Sequence, residues 1–176
     1  MSCHRVLRKA LLLVCILASG CGQPSDSSLE QHFLKRESDF EKLQRMISED
    51  PQILSITRSV VMSNGRYIPI ANLNPSADLK IAEDRWSSYV ALIDSLDIVT
   101  VFYPMTKRPA VEFRMNGYLS DDDSDKGIAY NPVPPTPLVS SLDTYVPSKG
   151  KAEIVYKALK GNWYLFRAFS SRYRPN

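Results

Sequence analysis

Apolar residues recur at three- and four-residue intervals in two parts of the chain, which is the spacing of an amphipathic helix. The first part predicts a helix from about residue 28 to 49, which begins at a capping box formed by Ser27 and Glu30. The second predicts a helix from about residue 75 to 95, which begins at Asn74-Pro75. The two apolar stripes consist of Leu29, Phe33, Phe40, Leu43 and Ile47, and of Leu79, Ala82, Trp86, Tyr89, Val90, Ile93 and Leu96.

Shorter runs of β-branched and aromatic residues, bounded by turn residues, predict strands. Asn64-Gly65 favours a type I′ hairpin turn, and Pro69 makes the strand that follows it short or places it at a sheet edge. Near the end of the chain, Gly161-Asn162 suits a two-residue type II′ turn. The predicted strands cover residues 56–61, 66–70, 98–103, 110–115, 154–159 and 163–169.

The order of these elements is helix, hairpin, helix and then three or four strands. This order lacks the regular alternation of strand and helix that builds a parallel sheet. The chain therefore predicts a single α+β domain over residues 29–176, with an antiparallel sheet packed by two amphipathic helices. The acidic run at 121–125 and the proline-rich run at 131–137 are predicted to be loops of this domain.

The first 20 residues have the pattern of a secretory signal peptide. Residues 5–9 carry three basic side chains and no acidic one, residues 10–18 are uncharged and apolar, and small residues then lead to Cys21. The apolar stretch is too short to cross a bilayer, which takes roughly 20 residues. We expect residues 1–20 to be removed from the mature protein.

Residues 17–21, Leu-Ala-Ser-Gly-Cys, resemble the lipobox of bacterial lipoproteins. The resemblance implies that signal peptidase II cuts before Cys21 after the Cys21 thiol has received a diacylglyceryl group. The acylated Cys21 would then anchor the protein to a membrane. Ala18 departs from the pattern, which prefers Leu at that position.

The residue after the cysteine bears on the final location. Gly22 stands where an Asp would, by resemblance to the enterobacterial sorting rule, retain a lipoprotein at the inner membrane. The expected location is therefore the outer membrane, with the domain facing the periplasm. Residues 21–28 are expected to form the lipidated cysteine and a flexible polar tether. Two other interpretations stay open: an ordinary secretory signal with a coincidental cysteine, and an N-terminal apolar helix.

Composition and charge exclude several classes of function. With 44% hydrophobic and 23% charged residues, the chain suits one globular domain. Of its 22 basic residues, three lie in the first 20 positions, and the remaining 19 equal the 19 acidic residues. Without a basic excess, no nucleic-acid partner is expected.

Few side chains of the kinds used in catalysis lie outside the N-terminus. The cysteines are Cys3, Cys15 and Cys21, and His32 is expected on the surface of the first helix. The chain contains no serine-hydrolase, zinc-protease, P-loop, dinucleotide-binding or CxxC motif. We therefore expect no cofactor and no metal.

Acidic residues are the main candidates for chemistry. Asp121, Asp123 and Asp125 match the first ligand positions of a calcium loop, but Lys126 replaces the required glycine and Pro132 the final glutamate, which excludes an EF-hand. Two carboxylates that the fold brings together could act as general acid and base. The candidates for such a pair are Glu83, Asp84, Glu112 and Asp143, and structural roles are expected for them.

Aromatic residues of the last predicted hairpin are the candidates for a binding surface. Side chains alternate along a strand, so successive residues of this hairpin strand face opposite sides of the sheet. By that alternation Trp163 shares a face with Leu165, whereas Tyr164 and Phe166 share the other. One set is expected to be buried in the core, and an exposed aromatic platform formed by the other stays open as an alternative.

Parts of residues 127–169 resemble a pattern in small bacterial proteins that have no established activity; the matching stretches include Gly127-Ile128-Ala129-Tyr130 and Asn162-Trp163-Tyr164-Leu165-Phe166. This resemblance implies no site. Together, the observations favour a lipid-anchored envelope protein whose domain binds a protein partner or another envelope component without catalysis. Two alternatives stay open: a lipoprotein enzyme that acts on cell-wall or glycan substrates through carboxylates, and a structural component of an envelope assembly.

Overall fold

A computed structural model describes residues 23–103, 110–116 and 124–171. The two main helices are α1 (Asp26–Glu49) and α2 (Glu83–Ser95). Two short helical turns, Ile70–Asn72 and Pro75–Leu79, lie between them. The strands are β1 (Ile53–Thr57), β2 (Val60–Ser63), β3 (Arg66–Pro69), β4 (Thr100–Phe102), β5 (Val111–Asn116), β6 (Ser124–Tyr130), β7 (Glu153–Lys160) and β8 (Trp163–Phe169).

The strands form one eight-stranded sheet in the order β3-β2-β1-β4-β5-β6-β8-β7. Every neighbouring pair is antiparallel, and the two helices pack against the sheet. This confirms the predicted single α+β domain. Strand β3 lies at one edge, as Pro69 indicates. At the other edge, Val139 N donates to Tyr156 O and Tyr156 N to Pro137 O, so the chain before Leu142 partly covers β7.

The core lies between the helices and one face of the sheet. Helix α1 buries the predicted stripe, and its Phe33 and Phe40 meet sheet residues Phe113 and Trp163. The Phe33 and Trp163 ring centroids are 5.1 Å apart, and those of Phe40 and Phe113 are 5.6 Å apart. Such pairs stabilise a fold by about 0.5–1.5 kcal/mol each beyond the apolar area that they bury.

A polar network joins the C-terminal end of α1 to α2. Arg85 Nε lies 2.6 Å from Asp50 Oδ2, and the Tyr89 hydroxyl donates to the same oxygen at 2.7 Å. Burial and the neighbouring Asp50 carboxylate raise the pKa of Tyr89 well above its usual range. Arg85 also donates to Met46 O at 3.2 Å, which satisfies a carbonyl at the end of α1.

The structure corrects both predicted helix starts. Ser25 caps α1, since its side chain accepts from Ser28 N at 3.2 Å, so the helix begins before the predicted Ser27 capping box. The predicted helix over 75–95 is broken. Asn74 caps only the turn Pro75–Leu79, Lys80 takes a left-handed conformation with φ 60°, and α2 begins at Glu83.

Two other predictions at the level of strands were wrong in part. The run 56–61 is split because Thr57 Oγ1 accepts from Val60 N at 2.9 Å and makes a tight turn between β1 and β2. Ser124 and Asp125, predicted to lie in an acidic loop, begin β6; residues 121–123 of that run lie outside the described residues.

Both predicted hairpin turns are present. Asn64 and Gly65 have φ 49° and 75°, as a type I′ turn requires. At the last hairpin Lys160 pairs with Trp163, so Gly161 and Asn162 form the two-residue loop, and Gly161 has φ 57° as expected for type II′. None of the helices within the described residues combines the length and the apolar character needed to traverse a bilayer.

Gly127, on β6, is a position where the sheet leaves no room for a side chain. A Cβ added there would lie 2.1 Å from the Phe113 carbonyl oxygen, a backbone atom held in the β5–β6 pairing. We predict that Gly127→Ala lowers the free energy of unfolding by about 3 kcal/mol or more. Urea unfolding of the purified protein measures this.

Gly65→Ala is the matched control, because nothing lies within 4 Å of the added Cβ and only its φ of 75° opposes the change. Gly65→Ala should lower the free energy of unfolding by about 1–2 kcal/mol. Equal losses in the two variants would contradict the steric account of Gly127.

Candidate functional site

A buried lysine lies where α1 begins. Lys126 on β6 is 1% exposed, and its Nζ is 2.6 Å from Asp26 Oδ1 and 2.5 Å from Asp143 Oδ1. Asp26, in the first turn of α1, is itself only 4% exposed. An ammonium group without a carboxylate partner is very costly in such a place, so these ion pairs fix how α1 meets β6.

Asp26 is held from several sides. Its Oδ2 accepts from Leu142 N at 2.9 Å and lies 3.5 Å from Lys157 Nζ, while its backbone N donates to Asp143 Oδ2 at 3.0 Å. Burial raises the pKa of Asp26, but the hydrogen bonds from Lys126 and Leu142 and the charges of Lys126 and Lys157 outweigh this effect. The pKa is therefore below its ordinary value, and the carboxyl is ionised at neutral pH.

Residues just before the helix are bonded to the domain as well. The Gln23 side-chain amide donates to Ser124 Oγ at 2.9 Å and to the Ser124 carbonyl oxygen. Arg167 Nη2 donates to the same Oγ at 3.3 Å, and Arg167 Nη1 donates to Leu142 O at 3.1 Å. We call the set that holds residues 23–26 the N-terminal clamp; it consists of Asp26, Ser124, Lys126, Asp143, Lys157 and Arg167.

The clamp corrects the predicted tether. Residues 23–28 were expected to be a flexible link, but Gln23 is bonded to β6, Ser25 caps α1, and 26–28 are helical. The sequence could not show this, because the partners lie about a hundred residues away along the chain. Cys21, the predicted lipidation site, lies outside the described residues.

A groove lies at the other end of α1, beyond the kink at Arg36, whose φ of −126° and ψ of 21° are non-helical. Tyr130 and Trp163, whose ring centroids are 5.2 Å apart, form its floor. Its volume is about 430 Å³. We call it the helix groove; the side chains of α1 that line it are Glu41, Gln44, Arg45, Ser48 and Glu49.

The alternative of an exposed aromatic platform on β8 is wrong. Trp163, Tyr164 and Phe166 are 6%, 5% and 0% exposed, so both faces of this strand are covered. Trp163 packs on α1, and Phe166 lies on the opposite face close to Gly127. Trp163 contributes only its margin to the helix groove. The second aromatic residue there is Tyr130, which the sequence did not indicate as a candidate. A tyrosine directly before the proline-rich run carries no pattern that would mark it.

A second cavity, of about 360 Å³, lies beside the first turns of α1 and is lined in part by Pro24, His32, Arg58, Asp97 and Met115. His32 Nε2 is 3.1 Å from Leu96 O and acts there as a donor. Arg58 and Asp97 form an exposed ion pair at 3.1 Å. The histidine therefore joins α1 to the end of α2, which is a structural role.

The four carboxylates that could supply an acid-base pair lie in three separate parts of the fold. Glu83 and Asp84 are exposed at the start of α2, and Asp143 belongs to the N-terminal clamp. Glu112 is buried on β5, and because β6 side chains alternate, it lies on the sheet face opposite Lys126 and Asp143. Glu83 and Asp84 are therefore neighbours only as exposed consecutive residues, and Glu112 and Asp143 are separated by the sheet.

Glu112 has its own partner. Burial raises the pKa of Glu112, and the Arg114 guanidinium at 3.4 Å opposes this effect. Arg114 in turn lies 2.6 Å from Asp125. Among the described residues, no cluster of three or more His, Cys, Asp or Glu side chains is arranged to hold a metal ion.

Comparison with known proteins gave no match: no family model, no curated protein and no solved structure is similar to this chain.

Asp26 should make the free energy of unfolding of the domain depend on pH in the acidic range. Its carboxylate stabilises the fold fully above the ordinary pKa of 3.8, and this contribution is lost as the pH falls through the lower pKa of the folded state. At pH 7 we predict that Asp26→Asn lowers the free energy of unfolding by about 3 kcal/mol, since the buried Lys126 keeps only Asp143. Below pH 3 the difference from wild type should shrink. Urea unfolding at both pH values measures it.

Asp97→Asn is the matched control, because the Asp97 side chain is 80% exposed in its ion pair with Arg58. Asp97→Asn should lower the free energy of unfolding by at most about 1 kcal/mol. A loss in Asp26→Asn that is the same at both pH values would contradict the assignment.

Proposed function

We propose that this chain is a lipid-anchored protein of the bacterial cell envelope whose folded domain binds an envelope protein or another envelope component, without catalysis. The resemblance of residues 17–21 to a lipobox supports the anchor. The helix groove supports the binding role, and it is the observation that carries the proposal.

The helix groove has the composition of a recognition site for a polar partner. An aromatic floor offers rigid contact area, and charged and amide side chains at the rim can fix the orientation of what binds. Glu41, Arg45 and Glu49 supply both signs of charge along one side of α1. A partner with polar groups around a small apolar or planar part fits this arrangement.

The position of the groove suits a membrane-anchored protein. Glu41 follows Asp26 by about 22 Å of helical rise, so the groove is remote from the residues that follow the proposed lipidation site. A partner can therefore reach it while the N-terminus is held at a membrane.

The carboxylates in the groove are spread along α1. Glu41 and Glu49 are separated by about 12 Å of helical rise. This spacing suits contacts to different parts of one partner.

Acylation of Cys21 is tested by labelling cells with [³H]palmitate. Wild type should incorporate label into the mature protein, and Cys21→Ala should not, because the acceptor thiol is missing. Cys15→Ala is the control and should be labelled like wild type, since it changes only the predicted signal segment. Label in Cys21→Ala would overturn the proposed anchor.

Binding at the helix groove is tested by photo-crosslinking in cells. A benzoylphenylalanine at Ser48, on the groove rim, should give a reproducible crosslinked species that mass spectrometry identifies, and Arg45→Glu should reduce its yield several-fold. The same probe at Ser87, an exposed serine on α2, is the matched control. Equal crosslinking from Ser48 and Ser87, or none from Ser48, would contradict binding at the groove.

A further inference from the structure

The N-terminal clamp leaves very little chain between the domain and the proposed lipid. Gln23 is bonded to Ser124, and Cys21 is two residues earlier. Because an extended residue spans at most about 3.6 Å, the two residues from Cys21 to Gln23 can add no more than roughly 7 Å of chain between the lipid and the domain. A lipid on Cys21 therefore brings the Ser124 end of the sheet to the membrane surface.

The 144–152 loop lies at this same end. Ser124 pairs with Phe169 on β8, and Phe169 pairs with Glu153 on β7, so the three residues form a row across the sheet. Adjacent strands are about 4.8 Å apart, which places Glu153 about 10 Å from Ser124. Glu153 Oε1 accepts from Ser148 N at 2.9 Å and from the Tyr145 hydroxyl at 3.3 Å, which holds the loop there.

The loop presents side chains that suit a lipid surface. Val146 is 68% exposed, and Lys149 and Lys151 are exposed beside it. Within the described part of the chain, neither lysine forms an ion pair, and the carboxylate of Glu153, two residues after Lys151, is engaged by Ser148 and Tyr145. Exposed lysines next to a membrane are attracted to anionic headgroups, and the attraction is strongest within about 10 Å of the surface.

We propose that the 144–152 loop is a second membrane contact, in which Lys149 and Lys151 bind anionic phospholipid headgroups while Val146 enters the interface. This proposal rests on the proposed lipid anchor at Cys21. Two separate contacts restrict how the domain can turn on the membrane, as a single flexible tether does not. The helix groove is then held in a defined direction instead of rotating freely.

The test uses the full-length mature lipoprotein, purified from cells and reconstituted into vesicles of phosphatidylcholine with phosphatidylglycerol. A cysteine replaces Ser148 in the loop or, as the matched control, Ser48 near the far end of α1, and each carries an environment-sensitive fluorophore. Acylated Cys21 is a thioether and does not react with the label. Brominated lipid should quench the probe at Ser148 several-fold more than the probe at Ser48.

The lysines are tested in the same vesicles. Lys149→Gln with Lys151→Gln should reduce the quenching at Ser148 several-fold, and so should replacing phosphatidylglycerol by phosphatidylcholine. Undiminished quenching in both cases would overturn the role of the lysines, and equal quenching at Ser148 and Ser48 would overturn the orientation.

Failure of the lipid anchor and failure of the second membrane contact give different results. The mass of the N-terminal peptide shows whether Cys21 carries lipid. If it does and the Ser148 probe is not quenched, the second contact is wrong and the anchor stands. If Cys21 carries no lipid, both the anchor and the second contact are overturned.

Discussion

The buried ammonium group of Lys126 is the constraint on which the placement of α1 depends. A charge at 1% exposure must be met by carboxylates, and those carboxylates come from Asp26 at the start of α1 and Asp143 in the chain before β7. Three distant parts of the sequence are thereby joined at one point. The apolar stripe of α1 decides which face of the helix is buried, but a stripe permits sliding along the sheet. The ion pairs remove that freedom.

The same constraint connects the fold to the proposed anchor. Because Asp26 and Gln23 are fixed, the chain emerges from the domain at a defined place beside Ser124. With the proposed lipid on Cys21, only a short link would separate the domain from the membrane at this point. The helix groove lies beyond the kink of α1, and the 144–152 loop lies beside the exit point. These positions underlie the proposals that one side of the domain contacts a membrane and another side contacts a partner.

Patterns of short range predicted much of this fold. The period of apolar residues indicated both helices, and Asn64-Gly65 and Gly161-Asn162 indicated their turns, because each signal depends only on neighbouring residues. The structure differs from these predictions where a single residue changes the direction of the chain. Thr57 turns β1 into β2, and Lys80 in a left-handed conformation separates the Asn74 cap from α2. Neither a threonine nor a lysine by itself predicts a turn or a helix break from the sequence.

The candidate sites could be predicted much less well than the fold. An alternating strand at a sheet surface buries one face, but β8 is buried on both, so Trp163, Tyr164 and Phe166 contribute to packing. Lys126 was considered only as a departure from a calcium loop, whereas its role depends on Asp26 and Asp143. The helix groove combines Tyr130 with residues of α1, which come together only when the sheet forms.

Amide hydrogen exchange of the mature lipoprotein in vesicles tests the central claim, that the N-terminal clamp fixes the exit of the chain, most directly. The Asp26 N–H donates to Asp143, and the Leu29 N–H donates to Ser25 O at 3.1 Å. Both should exchange as slowly as amides within α1, and Lys126→Met should accelerate Asp26 selectively. Exchange of Asp26 in wild type at the rate of an unstructured peptide would contradict the clamp and restore a flexible tether.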